Sequence, residues 1–249
     1  MERELHARAL VEFLPPPPAR LLDIGGGPGV WTLWLVERGY QVVLADLSGA
    51  LLDVARSRVA KLPAQHAANV EAIIAADARD LGAFESGSFD AVLCLGPFYH
   101  LTIDADRDQA AGEVCRVLRP GGVLLAAVMP RYMRLLATVL ERGSGAFDDG
   151  AVDDIVNHGR YDDERPGRFT GGYLMRPEDV TPFFARHGFS ARRLMASQGF
   201  LGWAQSEVAA VARRDPGVYP RLMDLAYATA ADPSIHGMAA HLLFIGERE

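Results

Sequence analysis

Short apolar runs alternate along this chain with stretches whose apolar residues recur every three or four positions. Residues 2–14 place Leu5, Ala9, Leu10 and Phe13 at helical spacing. The prolines at 15–18 end that helix, because proline lacks an amide proton and drives the residue before it out of helical geometry. Leu21–Ile24 then reads as a short buried strand, and Val30–Glu37 as a helix with Gly39 just past its end. The alternation continues with a strand at Gln41–Ala45, a helix from about Ser48 to Ala60, and a strand at Val70–Ala75. A fourth strand, Phe89–Leu95, is entered through the turn residues of ESGSFD. A helix over Asp104–Leu118 and the turn Pro120-Gly121-Gly122 lead into a fifth strand, Val123–Val128. These strands are unbroken apolar runs, the pattern of a parallel sheet covered by helices on both faces.

After Met129 the rhythm is lost. Arg131–Glu141 keeps a helical pattern, but GSGAFDDGAVDD and YDDERPGRFTGG are polar and rich in turn residues. Regularity returns at Pro177–His187, a helix with acids in its first turn, followed by strands near Ala191–Ala196 and at His241–Gly246. Between those two strands, Trp203–Ala230 is partly helical and is interrupted at Pro216 and Pro220. The stretch from Pro130 to Arg176 is too long for a plain connection and is expected to be a lid or a poorly ordered insertion.

Composition narrows the function classes. The chain has 249 residues, 49% of them hydrophobic and 23% charged, which is ordinary for a globular protein and sized for one domain. No apolar run approaches the roughly twenty residues that span a bilayer, so no membrane partner is expected. MERELHARAL lacks the apolar core of a signal peptide, and a cytoplasmic location is expected. The net charge of −7, with no basic block, disfavours nucleic acid, whose binders collect phosphate contacts on a basic stripe. Lys61 is the one lysine. Cys94 and Cys115 neither build a disulfide framework nor supply a metal site, and no metal is expected.

The chemistry gathers at LLDIGGGPGV, residues 21–30, where glycines follow the first strand directly. In an open parallel sheet, ligands bind outside the carboxyl ends of the strands, and glycines there let backbone approach them. The dinucleotide fingerprint G-x-G-x-x-G is not met: counted from Gly25 and Gly27 its third glycine falls on Val30, and counted from Gly27 and Gly29 it falls on Thr32. No Gly-Lys-Ser/Thr follows, so the phosphate-binding P-loop is also excluded. The stretch fits acid-x-Gly-x-Gly-x-Gly instead, with Asp23, Gly25, Gly27 and Gly29; Gly26 has no part in that pattern. Asp46 stands at the end of the second strand, 21 positions after Gly25. Ala76-Asp77-Ala78 follows the third strand, FDAVLCLGPFYHL carries the fourth, and RVLRPGGVLL precedes the fifth.

Taken in order, these five elements resemble the class I S-adenosylmethionine-dependent methyltransferases. The resemblance is close from about Arg20 to Val128 and holds in outline elsewhere. It implies a Rossmann-like, seven-stranded, mostly parallel α/β sheet with helices on both faces, the last strand antiparallel and a lid inserted between strands five and six. The whole chain is then one domain: residues 1–19 a helix and proline linker, 20–129 a cofactor-binding core, 130–176 the lid, and 177–249 the rest of the sheet with cap helices. The implied cofactor is S-adenosylmethionine. Asp23, Gly25, Gly27 and Gly29 would form its turn, Asp46 with Leu47 beside it would take the ribose, and Asp77 would accept from the adenine amino group. The Ala78 amide would reach a ring nitrogen, and Leu95 and Gly96 would offer backbone near the methionine ammonium.

Methyl transfer from a sulfonium is a direct displacement, so the protein mainly aligns the acceptor and excludes water, adding a base only where the acceptor must lose a proton. His100 is the candidate base and Tyr99 the candidate aromatic wall. His158, Tyr161, Phe169, Tyr173, Arg176, Trp203 and His236 are the candidates for acceptor contact. Asn/Asp-Pro-Pro-Tyr/Phe, the sequence in which amino methyltransferases acting on DNA or protein glutamine resemble one another, is replaced here by Leu95-Gly96-Pro97-Phe98. The expected acceptor is a small metabolite methylated on oxygen, nitrogen or carbon. An RNA methyltransferase and a non-methylating relative that uses the cofactor structurally are the alternatives. The sequence leaves the oligomeric state open.

Overall fold

A computed structural model describes residues 1–162 and 171–249. Helix α1 (Glu2–Phe13) leads into an alternating series: β1 (Arg20–Ile24), α2 (Val30–Val36), β2 (Gln41–Asp46), α3 (Gly49–Val59), α4 (Ala64–Ala67) and β3 (Val70–Ala75). The series continues through β4 (Phe89–Cys94), α5 (Pro97–His100), α6 (Asp104–Val117) and β5 (Leu118–Pro130). Beyond it come α7 (Arg131–Arg142), α8 (Gly145–Asp148), α9 (Ala151–Asp153), a π-helical turn at Asp154–His158, β6 (Arg160–Asp162) and β7 (Gly171–Met175). The remainder is α10 (Pro177–Ala185), β8 (Phe189–Ala196), a 3-10 turn at Gly199–Leu201, α11 (Gln205–Arg214), α12 (Val218–Thr229), α13 (Pro233–His236) and β9 (Leu242–Arg248).

The strands join in the order β3-β2-β1-β4-β5-β7-β6, and β9 pairs with both β5 and β8. The sheet is mostly parallel, with its last strands antiparallel. Residues 21–24 of β1 and 42–45 of β2 are all buried, as unbroken apolar strands require when both faces are covered. The register sets Asp23 level with Leu44 of β2 and Leu93 of β4. The carboxyl ends of these strands therefore finish together, which is where a site in this architecture forms.

The chain folds as two compact units. One comprises Leu14–Ala127, Phe183–Arg192 and Ile245–Glu249; the other comprises Met1–Phe13, Val128–Pro182 and Arg193–Phe244. In the first, α3 packs on the sheet through Leu52 and Ala55 against Leu44 and Ile73. Helix α3 starts at Ser48, whose hydroxyl accepts the Leu51 amide at 3.3 Å, satisfying one donor that the first turn leaves open. In the second, Ile155, Tyr161 and Leu174 form a small core with Met129 and Leu135. Buried Arg131 donates there to the carbonyls of Leu174 (3.0 Å) and Val156 (2.7 Å).

Two sequence expectations are revised. Among the described residues the sheet has nine strands rather than seven. The extra pair lies in the expected insertion: β7 extends the sheet in parallel beside the end of β5 (Met129 opposite Leu174), and β6 pairs antiparallel with β7. Three residues of RYD and a glycine-led GGYLM are too short to show a strand period, so the pairing is visible only in space. The fifth strand also starts earlier than Val123. Leu118 already pairs with Phe89, and Ala91 pairs next with Val123, so Arg119–Gly122 bulge out between them.

Candidate functional site

A cavity of about 350 Å³ lies in the first unit at the carboxyl ends of β1 to β4. Ile24, Gly25, Gly27, Asp46, Leu47, Ala76, Asp77, Ala78, Leu95, Gly96, Tyr99 and His100 line it, with Leu51, Pro97 and Leu101. The glycine turn is held to the neighbouring strand by the Gly25 amide, which donates to the Ala45 carbonyl at 2.8 Å. At Gly25 φ is +70°, and a β-carbon would stand 2.6 Å from Cδ of Pro97, so both conformation and space demand glycine. Gly26, outside the motif, is required by close approach alone. Its β-carbon would meet Leu44 Cδ1 at 2.3 Å and the Asp23 carboxylate at 2.6 Å.

The three acids have separate environments. Asp46 is on the cavity wall: one carboxylate oxygen accepts the Gly27 amide at 2.8 Å, the other the Ser48 amide at 2.8 Å. Each oxygen keeps lone-pair capacity toward the cavity. Asp77 also lines the wall. It accepts from the Arg79 amide at 2.9 Å and from the Arg79 guanidinium, Nη2 approaching to 2.6 Å. These Arg79 hydrogen bonds hold its carboxyl below the usual carboxylate range. Asp23 does not reach the cavity. It is 1% exposed beneath the turn and accepts from the Thr32 hydroxyl at 2.7 Å. Burial raises its pKa to about 6 against the Thr32 hydrogen bonds, and the Asp46 charge adds to the rise. Gly29 is likewise off the cavity; it starts α2, and a β-carbon there would lie 3.4 Å from Ala55 and 3.5 Å from Leu44.

Tyr99 and His100 reach the cavity on α5 because Phe98 anchors that short helix. Its fully buried ring packs edge-on against Phe183 and Phe184, with centroids 5.9 and 5.2 Å away. The Tyr99 hydroxyl donates to the Leu95 carbonyl at 3.1 Å, and its ring stands 4.8 Å from that of His100. Burial lowers the His100 pKa while the Asp46 charge raises it, the net shift being downward. At neutral pH its imidazole is thus neutral and can accept a proton. Buried Arg107 secures the following turn by donating to the Leu101 carbonyl at 2.6 Å.

The structure thus gathers ten of the twelve predicted site residues around one cavity, leaving Asp23 and Gly29 behind the turn. Ile24, Leu51, Ala76, Pro97 and Leu101 line it without having been predicted. For all but Leu51, four positions after Leu47, the one sequence signal is adjacency to residues that were. His158, Tyr161, Tyr173, Arg176, Trp203 and His236 belong to the second unit, and none lines this cavity. Tyr161 is buried under the Arg134 guanidinium, 4.4 Å from the ring centre, whereas Trp203 is 44% exposed. Phe169 lies outside the described residues. Among the described residues no group of three His, Cys, Asp or Glu could hold a metal, and no helix is long and apolar enough to cross a membrane.

An open parallel sheet whose first turn is stripped to glycine, with an acid facing it from the second strand, defines an α/β protein that binds a nucleoside-bearing cofactor. A methyltransferase-domain family model matches residues 22–126. A demethylmenaquinone methyltransferase of Thermus thermophilus is 37% identical over 200 residues, covering 78% of this chain and 79% of that protein. A glycine/sarcosine N-methyltransferase of Parasynechococcus marenigrum is 32% identical over 191 residues; the match covers 72% of this chain but 62% of the relative's length. The fold is shared with a SAM-dependent methyltransferase from Methanosarcina mazei, at a TM-score of 0.67 and 16% identity over 96% of each chain. The chain belongs to the class I S-adenosylmethionine-dependent methyltransferases.

Proposed function

We propose that the cavity at the ends of β1 to β4 holds S-adenosylmethionine and that the protein methylates a small-molecule acceptor on oxygen, nitrogen or carbon. The observation that carries this reading is the Asp46–Gly27 wall. A β-carbon at Gly27 would meet only Leu51 (3.7 Å) and the Asp46 carboxylate (4.0 Å), so the bare backbone leaves room directly before an acceptor-only side chain. Ribose hydroxyls are donors and suit that carboxylate. Asp77 offers a second carboxylate for the adenine amino group, and the Ala78 amide and the Leu95–Gly96 backbone complete the set of holding groups. When bound, the cofactor supplies a methyl group already activated on a sulfonium.

The chain's own task is then alignment and the exclusion of water. Tyr99, tethered to Leu95, forms a fixed aromatic wall. His100, with its lowered pKa, is the group able to take a proton from a hydroxyl or ammonium acceptor. The small-molecule reading is supported by the quinone and amino-acid substrates named for the two relatives and by the net charge of −7.

Calorimetric titration with S-adenosylhomocysteine tests the site: Asp46→Ala should weaken binding about tenfold or more, the value of a charge-assisted hydrogen bond or two. Failure of the wild-type protein to bind would overturn the reading. Cofactor bound but never converted in the presence of any acceptor would point to the structural use of it. Methylation of RNA in preference to metabolites would overturn the small-molecule acceptor.

A further inference from the structure

Arg79 stands behind the cavity-lining Asp77, and neither the glycine motif nor the proposed chemistry uses it. Its guanidinium makes a forked contact with Asp77: Nε lies 3.1 and 3.0 Å from the two carboxylate oxygens, and Nη2 lies 2.6 Å from Oδ2. The remaining arm, Nη1, donates to Asp106 in the first turn of α6 at 2.7 Å. Gln109, one turn further along α6, donates to the Arg79 carbonyl at 2.9 Å. The same helix face continues the grip. Glu113 accepts the Leu81 amide at 2.7 Å, and Arg116 donates to the Leu81 carbonyl at 2.9 Å. A polar stripe on α6 thus holds the loop that carries Asp77 and Ala78 at both side chain and backbone. Planar, bidentate arginine fixes a carboxylate's direction in a way that a single point charge does not.

We propose that Arg79, pinned to α6 through Asp106, is a positioning residue that aims the Asp77 carboxylate into the cavity and thereby sets selection of a 6-amino over a 6-oxo purine in the cofactor. The inference rests on Asp77 facing the adenine, as proposed above. An ionised carboxylate accepts from a 6-amino group but meets a 6-oxo group acceptor to acceptor. A carboxylate free to rotate loses much of that discrimination, because the ordering cost must then be met on binding.

The test is calorimetric titration of the full chain with S-adenosylhomocysteine and with its 6-oxo analogue, S-inosylhomocysteine. Wild type should favour the adenine ligand by about tenfold or more, and Arg79→Met should bring that ratio down about tenfold toward unity. Arg79→Lys should restore part of it. Asp106→Asn, which leaves residues 77–79 untouched, should reduce the ratio in the same direction by a smaller factor and serves where Arg79→Met fails to fold. Asp46→Ala should weaken both ligands equally and leave the ratio alone. An Arg79→Met protein that binds both ligands more weakly by one common factor, or neither more weakly, overturns the positioning role. A wild type that binds yet shows no purine preference overturns the placement of Asp77 instead, and the role of Arg79 with it.

Discussion

Replacing Asp23 with asparagine tests how the glycine turn is supported from beneath. The carboxyl is fully buried, and its pKa is about 6 where an exposed aspartate has 3.8. As pH rises through 3.8 the unfolded chain releases its proton, while the folded protein keeps one until about 6. In that window the unfolded state binds fewer protons, so stability falls with rising pH and levels off above it. A gap of about two pH units, at about 1.4 kcal/mol each, makes the ionised folded protein about 3 kcal/mol less stable than the protonated one through this group alone. The asparagine amide has nearly the same shape and still accepts from Thr32, but it cannot ionise. Urea unfolding of both proteins without cofactor, from about pH 4 to about pH 8, isolates the group, since other titrations cancel in the difference. Wild-type stability relative to Asp23→Asn should drop by about 3 kcal/mol between about pH 4 and pH 6 and then hold level. A difference that stays flat, or that grows in favour of wild type with pH, would refute the account of a desolvated carboxyl beneath the turn.

Two further expectations concern stability. Gly26→Ala should lower it by about 1–3 kcal/mol in thermal or urea melts, because buried Leu44 and Asp23 leave its methyl no room. Gly49→Ala, with nothing within 4 Å, is the control and should not destabilise. His6, 5% exposed and bonded to the Ser197 hydroxyl at 2.8 Å, has its pKa lowered by burial to about 4. Here the unfolded state binds more protons between 6.5 and about 4, so stability is lost as pH falls through that window, opposite in sign to Asp23. Acid unfolding of His6→Gln should lack this component, and an unchanged pH dependence would sink it.

Much of the site was legible because its parts are local. Gly25 needs a backbone conformation that side chains avoid, and Asp46 and Asp77 need only sit where strands end, so strand periodicity plus a glycine count locates them. The same signal could not separate residues that face the cavity from residues beneath it. Asp23 and Gly29 share the motif with Gly25 and Gly27, yet they serve α2 and its packing. The β6–β7 pair was invisible for a related reason. Strands of three and five residues gain their hydrogen bonds from partners, and no window on the chain shows a partner.

The sequence by itself determined the alternating strand and helix order, the parallel sheet, the glycine turn and the acids at the strand ends. Each follows from properties a residue carries wherever it sits: apolarity, absence of a side chain, or a fixed charge. Tertiary structure alone decided which acids face the cavity and which is buried under it. It also decided that Gly26 is dictated by Leu44 and Asp23, and that α6 grips the Asp77 loop through Arg79. Those outcomes depend on distances between residues far apart in the chain, and hydrogen bonds, desolvation and close contact are set by distance.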